Sequence, residues 1–256
     1  MFPSILLTFS GLIDIIKDML KKFFRGLVDI LYPKTCLSCK TRLITEAFIC
    51  PDCISKIRKN IPPFCTRCGR HLEKKNLNKN ICPACLKTPL HFDRAFSPCI
   101  YEGVIQNLIQ QFKYNNKQFL GPVFAKLMNE FIREYDLSLD FIDQIIPIPL
   151  NSTRMREREF NQSEILSRYI AEELKKNVFK DLLIRSRNTF SQTELKNNQR
   201  LENVKGSFKV TNKELVRNRN VLLVDDVLTT GATASEAAFT LKNAGTNIVF
   251  VLTLAN

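Results

Sequence analysis

The sequence predicts an α/β fold in which helices flank a parallel sheet, with a small cysteine-rich metal module before it. From residue 91 onward, apolar segments of strand length alternate with helical patterns, an order typical of a parallel sheet. Before residue 91, eight of the nine cysteines fall into four CxxC pairs. We therefore divide the chain into an N-terminal helical segment (1–35), a double zinc-ribbon module (36–90) and an α/β domain (91–256).

The N-terminal segment has the pattern of an amphipathic helix, because Leu12, Ile16, Met19 and Phe23 recur at helical spacing. Charged residues interrupt it too often for a spanning helix, which needs about 20 mostly apolar residues. We expect it to pack on the protein's own core or on a partner subunit, with peripheral membrane attachment as the less favoured alternative. The segment also lacks the features of a secretory signal, and with the CxxC pairs this favours a reducing, cytoplasmic setting.

The four CxxC pairs predict two structural zinc ions. Each pair forms a knuckle that turns two thiolates toward one metal, and two knuckles complete a tetrahedral four-cysteine site. Sequential pairing and cross-braced pairing of the knuckles are both possible, and the intervals of ten, eleven and thirteen residues between pairs favour the sequential scheme. The predicted ligands are Cys36, Cys39, Cys50, Cys53, Cys65, Cys68, Cys82 and Cys85.

The net charge of +13 suggests an anionic partner, and residues 36–91 hold 11 lysines and arginines against three acidic residues. Single-stranded DNA is the partner we expect for this module. Aromatic stacking platforms are few, since only Phe48 and Phe64 lie between the first and last paired cysteines, so contact would be mainly with phosphates. The alternative is that the charges only keep the module soluble. The candidate contacts are Lys56, Arg58, Lys59, Arg67, Arg70, Lys74 and Lys75.

The segment VLLVDDVLTTGAT (residues 221–233) joins an apolar strand to a helical pattern. Asp225 and Asp226 stand at the carboxyl end of the strand, where open α/β sheets bind ligands, and two carboxylates can accept hydrogen bonds from a vicinal diol. The loop that follows leads into a helix whose free backbone amides favour a phosphate, and Gly231 permits close approach. These residues predict a site for a ribose 5-phosphate.

The same segment resembles the phosphoribosyl pyrophosphate (PRPP) motif of type I phosphoribosyltransferases along its full length, which implies a type I phosphoribosyltransferase-like domain. The resemblance implies that Asp225 and Asp226, the expected catalytic residues, hold the ribose hydroxyls, and that PRPP with Mg²⁺ is the ligand. The GxxxxGK[ST] loop of ATPases is absent from the sequence. The implied cradle for the 5′-phosphate comprises Thr229, Thr230, Gly231, Ala232 and Thr233.

Together with the cysteine module, PIPLNSTRMREREFNQ (147–162) and RSRNTFSQTELKNNQRLENVKGSF (185–208) resemble the ComF family of bacterial competence proteins. This resemblance covers about residues 31–254 and implies a pyrophosphate loop after PIP and a mobile hood near residues 192–203. One position departs from the family pattern RGFNQ, because Glu159 stands where glycine is usual. If that glycine permits an unusual backbone angle or close phosphate approach, Glu159 weakens PRPP binding. The further ligand-binding residues implied are Arg158, Asn161, Gln162, Gln192 and Arg200.

Arg154, Arg156 and Arg158 cluster beside the implied pyrophosphate loop. Guanidinium groups bind phosphate oxygens in a bidentate way, so contact with a diphosphate or with DNA is expected. The alternative is a solvated helix face.

Two functions are consistent with these features. The first is a ComF-like protein that binds PRPP and single-stranded DNA in DNA uptake during natural transformation, with a competence helicase or another DNA-uptake protein as a possible partner. The second is an active phosphoribosyltransferase that displaces pyrophosphate with a base or amine, for which the sequence shows no acceptor site.

Overall fold

The computed structural model of the chain describes residues 17–20, 34–45, 47–73, 80–186 and 204–256. The chain forms two compact units, Met1–Ser55 and Lys56–Asn256. The first cysteine cluster lies in the first unit, and the second cluster lies in the same unit as the sheet. The predicted boundary between residues 90 and 91 rests on composition. The structural division falls earlier because cysteines of the second cluster pack into the core of the sheet-containing unit.

Eight α-helices and seven strands have both ends within the described residues, and a short 3-10 helix spans Gln118–Leu120. The helices are α1 (Pro51–Ser55), α2 (Pro83–Lys87), α3 (Gly103–Tyr114), α4 (Gly121–Glu134), α5 (Ser152–Arg158), α6 (Gln162–Leu174), α7 (Lys213–Val216) and α8 (Ala232–Asn243). The strands are β1 (Arg94–Phe96), β2 (Gln144–Pro147), β3 (Asn177–Val178), β4 (Leu183–Arg185), β5 (Phe208–Val210), β6 (Asn220–Val227) and β7 (Ile248–Ala255).

The predicted parallel sheet is confirmed. Five strands pair in the order β1-β7-β6-β2-β3, and every pairing among them is parallel. β6 is central, and its four apolar residues 221–224 are fully buried, as expected for a parallel strand covered on both faces. Asp225 and Asp226 are among the last three residues of β6. Asp225 still pairs with Thr253 of β7.

The helices that cover the sheet bury apolar stripes at the spacing that the sequence predicts. In α3 the buried residues are Ile105, Leu108, Ile109 and Phe112, which recur every three or four positions. Side-chain caps fix the starts of α5 and α6, since Asn151 accepts a hydrogen bond from the backbone N–H of Arg154. Helix positions near the carboxyl edge of the sheet are therefore set by local sequence as well as by packing.

Strands β4 and β5 form a separate antiparallel pair, with Leu183 opposite Val210. They bracket the segment predicted to form a hood, and the predicted hood residues Gln192 and Arg200 lie outside the described residues. Of the predicted N-terminal helix, residues 17–20 are described and are helical. In the described parts of the chain, no helix combines the length and the apolar character needed to cross a lipid bilayer.

Candidate ligand site and metal centres

A cavity of about 320 Å³ opens at the carboxyl end of β6. Its lining combines the two aspartates and two threonines of the loop that follows them with residues of α3, α5 and β4. Thr230 and Gly231 of the same loop line a second cavity, of about 690 Å³. The first cavity thus brings together segments that are far apart in sequence. Its lining residues include Tyr101, Lys113, Tyr114, Arg154, Arg158, Arg185, Asp225, Asp226, Thr229 and Thr233.

Asp225 occupies an environment that disfavours its charged form. Burial, and then the adjacent carboxylate of Asp226, raise the pKa of Asp225 to about 6. Three interactions act in the opposite direction: the backbone N–H of Asp226 donates to Oδ1 at 2.9 Å, Lys113 lies nearby, and the Ser163 hydroxyl donates to Oδ1 at 2.9 Å. Asp225 is therefore a carboxyl group with an unusually high proton affinity in a preformed hydrogen-bond network.

Asp226 has a direct cationic partner. The ammonium nitrogen of Lys113 lies 2.8 Å from Oδ1 of Asp226, and the two side chains are only 15% and 10% exposed. Lys113 belongs to the last turn of α3, more than 100 residues earlier in the chain. The neighbouring carboxylates therefore differ, because Asp226 has a charge partner in contact and Asp225 has neutral hydrogen-bond donors in contact.

The predicted phosphate loop has the backbone geometry that its glycine suggests. Gly231 has φ of +78° and precedes the first residue of α8. A Cβ atom at this position would lie 3.3 Å from Leu90 and 3.7 Å from Phe92, so both conformation and space favour glycine. The hydroxyl of Thr230 accepts a hydrogen bond from the backbone N–H of Ala232 at 3.3 Å. The loop leads directly into a twelve-residue helix, whose N-terminus favours anions.

Three arginines, Arg154, Arg158 and Arg185, line the same cavity as the aspartates. Arg158 is buried, donates to Gln162 at 3.0 Å and lies over the ring of Tyr114, 5.0 Å from its centroid. Burial lowers the pKa of Arg185 to about 10, the charge of Arg154 adds to that effect, and Asp225 opposes it. Like charges therefore lie close together in this part of the cavity, which is a place for an anion.

The other residues implied by the family resemblance have different surroundings. Asn161 does not line the cavity; it caps α6 by accepting from the N–H of Ser163 and donates to the carbonyl of Ile148. Gln162 is fully buried and accepts from Arg158, so it orients that guanidinium. Arg156 is exposed and is absent from the cavity lining.

Lys113, Ser163 and Arg185 are site residues that the sequence reasoning missed. Ser163 carried a signal, because it follows the Asn161–Gln162 pair of the family pattern. Arg185 begins the segment 185–208 that resembles the ComF family. Its place at the cavity follows from the position of β4, which pairs with β5. The sequence gives no signal for Lys113, since nothing local distinguishes it from other lysines on helix surfaces.

Glu159 adopts the backbone conformation that explains the glycine usual at this position. Its φ is +65°, in the left-handed region, and it ends α5 as the C-cap residue. Its side chain is exposed and accepts a hydrogen bond from Asn116 at 3.1 Å. A non-glycine residue in this region is strained by about 1 kcal/mol.

Both predicted four-cysteine clusters form, and the pairing is sequential. The clusters are Cys36, Cys39, Cys50 and Cys53, and then Cys65, Cys68, Cys82 and Cys85. In each cluster the four Sγ atoms lie within 4.8 Å of one another.

The sulfur geometry fits a tetrahedral zinc ion. Zn–S bonds of about 2.3 Å give sulfur–sulfur edges of about 3.8 Å. The Sγ atoms of Cys39 and Cys50 are 3.7 Å apart, as are those of Cys68 and Cys82. Four thiolates held at this spacing form a closed structural site, in which zinc supplies folding energy.

Backbone amides of the knuckles point at the sulfur atoms. The N–H of Cys50 lies 3.4 Å from Sγ of Cys36, and the N–H of Cys82 lies 3.3 Å from Sγ of Cys65. Burial opposes ionisation of Cys36, but hydrogen bonds from backbone N–H groups, that of Cys50 first, lower its pKa to about 6. This environment favours the thiolate form that binds metal.

Two protein-family models match parts of this chain. Residues 27–86 match the double zinc ribbon domain family, and residues 161–256 match the phosphoribosyl transferase domain family. Among solved structures, a glutamine PRPP amidotransferase from B. subtilis has 19% identity and a TM-score of 0.33, over 55% of this chain and 26% of that one.

Three curated relatives are similar over most of their length. Competence protein F of Haemophilus influenzae is 30% identical over 224 residues, which cover 86% of this chain and 96% of that protein. DNA utilization protein YhgH of Salmonella typhimurium is 29% identical, over 86% of this chain and 95% of that protein. Competence protein ComFC of Bacillus subtilis is 26% identical, over 77% and 79% respectively.

The fold, the cavity and the cysteine clusters thus define a phosphoribosyltransferase-like domain that follows a double zinc ribbon. The match to Competence protein F extends over most of both chains. The chain therefore belongs to the ComF family of competence proteins.

Proposed function

We propose that this chain binds PRPP together with Mg²⁺ in the cavity at the end of β6. The observation that supports this most strongly is the arrangement of two carboxylates, two threonines of the phosphate loop and three guanidiniums around one cavity of about 320 Å³. Asp225 and Asp226 accept hydrogen bonds from the ribose hydroxyls, and the loop amides bind the 5′-phosphate. Arg154, Arg158 and Arg185 provide cationic contacts for the diphosphate.

The magnesium ion would neutralise part of the diphosphate charge when it is bound with PRPP. Residues of the chain fix the two aspartates in position without the ligand. Lys113 compensates Asp226, while the hydroxyl of Ser163 orients the carboxylate of Asp225. Binding a polyanion relieves the repulsion between Arg154 and Arg185 that exists without it.

Calorimetric titration with PRPP and Mg²⁺ tests this proposal. The double variant Asp225→Ala, Asp226→Ala should lose binding, together with the rise in melting temperature that a ligand specific for the folded state causes. A matched control is Asp140→Ala, Asp181→Ala, which removes two exposed carboxylates outside the cavity lining. Equal affinity in the site variant and the control would place the ligand elsewhere. Release of pyrophosphate on addition of a nucleobase or amine would favour the active phosphoribosyltransferase over a protein that only binds PRPP.

We further propose that the chain handles single-stranded DNA in DNA uptake, which agrees with relatives named for competence and for DNA utilization. Of the candidate contacts, Lys74 and Lys75 lie outside the described residues. The surroundings of the others differ. Arg67 and Arg70 donate hydrogen bonds to backbone carbonyls inside the protein. Arg58 and Lys59 are each 64% exposed, even though each lies near a carboxylate.

The DNA contact is testable with charge reversal at Lys56, Arg58 and Lys59. We expect the triple change to Glu to weaken binding of a fluorescent single strand, because phosphate neutralisation dominates non-specific affinity. The slope of affinity against salt should also become shallower. A control reversal at three exposed cations of the α/β domain changes the net charge equally and should weaken binding less; its positions are Lys126, Arg168 and Arg217. Equal losses in the two triple variants would leave only a net-charge effect.

A further inference from the structure

The second cysteine cluster is connected to the phosphate loop by an arginine. Arg70 lies two residues after Cys68, and its Nη2 donates to the carbonyl of Leu228 at 3.2 Å and also to the carbonyl of Thr229. Both carbonyls belong to the start of the phosphate loop. This contact joins residues that are almost 160 positions apart in the chain.

The two hydrogen bonds orient the amides of the loop. In a trans peptide unit, the C=O and N–H groups lie on opposite sides of the backbone. When the carbonyls of Leu228 and Thr229 face Arg70, the N–H groups of Thr229 and Thr230 point away from it. Arg70 therefore selects the peptide orientations at the two positions that begin the predicted 5′-phosphate cradle.

The zinc knuckle fixes the position of Arg70. The backbone N–H of Cys65 donates to the carbonyl of Arg70 at 2.7 Å, and the N–H of Gly69 donates to the carbonyl of Cys65 at 2.9 Å. Gly69 has φ of +69°, and a Cβ atom there would lie 2.3 Å from the carbonyl oxygen of Ala95. The turn that carries Arg70 is thus the same turn that holds the first two thiols of the second cluster.

A second connection runs through the segment after the last two thiols of that cluster. Leu90 and Phe92 lie against Gly231 of the phosphate loop. The guanidinium of Arg67 donates to the carbonyl of Leu90, and the N–H of His91 donates to Ser235 Oγ at 3.0 Å. Both halves of the second cluster therefore continue directly into contacts with the loop or with the first turns of α8.

We infer that the second metal centre positions the phosphate loop, with Arg70 as the positioning residue, so that metal at this cluster raises affinity for ligands that carry a 5′-phosphate. The inference rests on the proposed PRPP function. It assigns different roles to the two clusters, because the first lies in the other compact unit, Met1–Ser55. Loss of metal from the first cluster should leave the phosphate loop unchanged.

The test compares Arg70→Met with Lys87→Met. Both residues line a cavity of about 690 Å³ beside the phosphate loop, and both changes remove one positive charge. The titrants are ribose 5-phosphate and, separately, pyrophosphate with Mg²⁺. We expect Arg70→Met to bind ribose 5-phosphate about tenfold more weakly, the scale of a lost hydrogen bond to a charged group. Its affinity for pyrophosphate should stay within about twofold of the wild type.

Lys87→Met gives the effect of charge loss alone, so it should lower both affinities slightly and to a similar degree. Arg70→Lys should recover part of the lost affinity for ribose 5-phosphate, because an ammonium group can donate to the same carbonyls from a shorter side chain. Equal loss in Arg70→Met and Lys87→Met would refute the positioning role. So would a parallel loss of both ligands in Arg70→Met.

Two cysteine variants test the metal directly, with zinc content measured in each. We expect Cys39→Ser to lower the zinc content while ribose 5-phosphate affinity is retained, and Cys85→Ser to lower both. If Cys85→Ser does not fold, Arg70→Met with full zinc content gives the decisive comparison. Equal affinities in the wild type and Arg70→Met would overturn this inference alone. Failure of the wild type to bind PRPP or ribose 5-phosphate would overturn the proposed function and this inference together.

Discussion

Replacing Asp225 with Asn should stabilise the protein in the absence of ligand and also abolish PRPP binding. The carboxyl group lies in surroundings that raise its pKa from 3.8 to about 6, through burial and then through the charge of Asp226. Asparagine keeps an oxygen that can accept from Ser163 Oγ and from the N–H of Asp226, which both contact Oδ1 of the aspartate. The change therefore removes a disfavoured charge and retains the hydrogen bonds.

The magnitude follows from the pKa shift. Each pKa unit corresponds to about 1.4 kcal/mol, so a rise of about two units corresponds to at most about 3 kcal/mol. Between pH 4 and pH 6 the folded chain holds a proton on Asp225 that the unfolded chain has lost. Wild-type stability therefore falls as pH rises through this window, and this contribution is absent from Asp225→Asn. The advantage of the variant should be small below pH 4 and reach its full value above pH 7.

Urea unfolding at several pH values between 5.5 and 8 measures this advantage. Circular dichroism is the suitable signal, because the chain has no tryptophan and only five tyrosines. The range stays above the acid conditions that would protonate the zinc thiolates, and zinc content should be equal in both proteins. An advantage that does not grow with pH, or a loss of stability at pH 7.5, would refute the assignment of a costly charge to Asp225.

Asp226 supplies a matched control, because its replacement should change stability in the opposite direction. Asp226→Asn leaves Lys113 without its partner at 2.8 Å, in a place where both side chains are largely buried. Breaking such a pair costs about 3–5 kcal/mol when it is fully buried, so a loss of about 1–3 kcal/mol is expected here. If both variants changed stability in the same direction, the two aspartates would not have the distinct environments described above.

Two further predictions concern the family glycine position and the metals. Glu159→Gly should raise stability by about 0.5–1 kcal/mol in thermal unfolding, because the φ of +65° at this position suits glycine. Lys175→Gly is the control, because Lys175 has a similar φ of 53° and should gain stability in the same way. A specific role of Glu159 near the diphosphate would appear as tighter PRPP binding in the first variant and unchanged binding in the second. Elemental analysis should find two zinc ions per chain, and Cys36→Ser combined with Cys39→Ser should reduce this to one; two retained ions would disprove the assignment.

The sequence predicted those parts of the structure whose signals are local. The alternation of apolar runs and helical patterns predicted the parallel sheet, and the spacing of the CxxC pairs predicted both clusters and favoured their sequential pairing. The order of residues from Val221 to Gly231 predicted a strand that ends at the two aspartates and a loop that leads into a helix. In each case, the chemistry that decides the geometry lies within a few residues.

The sequence could not predict contacts between distant segments. Lys113 reaches Asp226 because α3 ends at the cavity, and Arg70 reaches the phosphate loop because the second cluster packs into the core of the sheet-containing unit. Charge alone makes all the basic residues near the cysteines candidate DNA contacts. Composition cannot separate Arg70, which donates to the backbone, from Arg58, which is largely exposed.

The contacts at the end of β6 explain how two adjacent aspartates are held at one strand end while the cavity stays suited to an anion. Lys113 compensates one carboxylate, so the two adjacent aspartates can be held at the same strand end. Among the described residues, the direct partners of the Asp225 carboxylate are the Ser163 hydroxyl and the backbone N–H of Asp226. Burial, and then the charge of Arg154, lower the pKa of the nearby Arg185. The PRPP proposed as the ligand would contact Asp225 through its ribose hydroxyls and the arginines through its diphosphate, whereas pyrophosphate alone would leave Asp225 without a ligand contact. We therefore expect PRPP to bind more tightly than either ribose 5-phosphate or pyrophosphate.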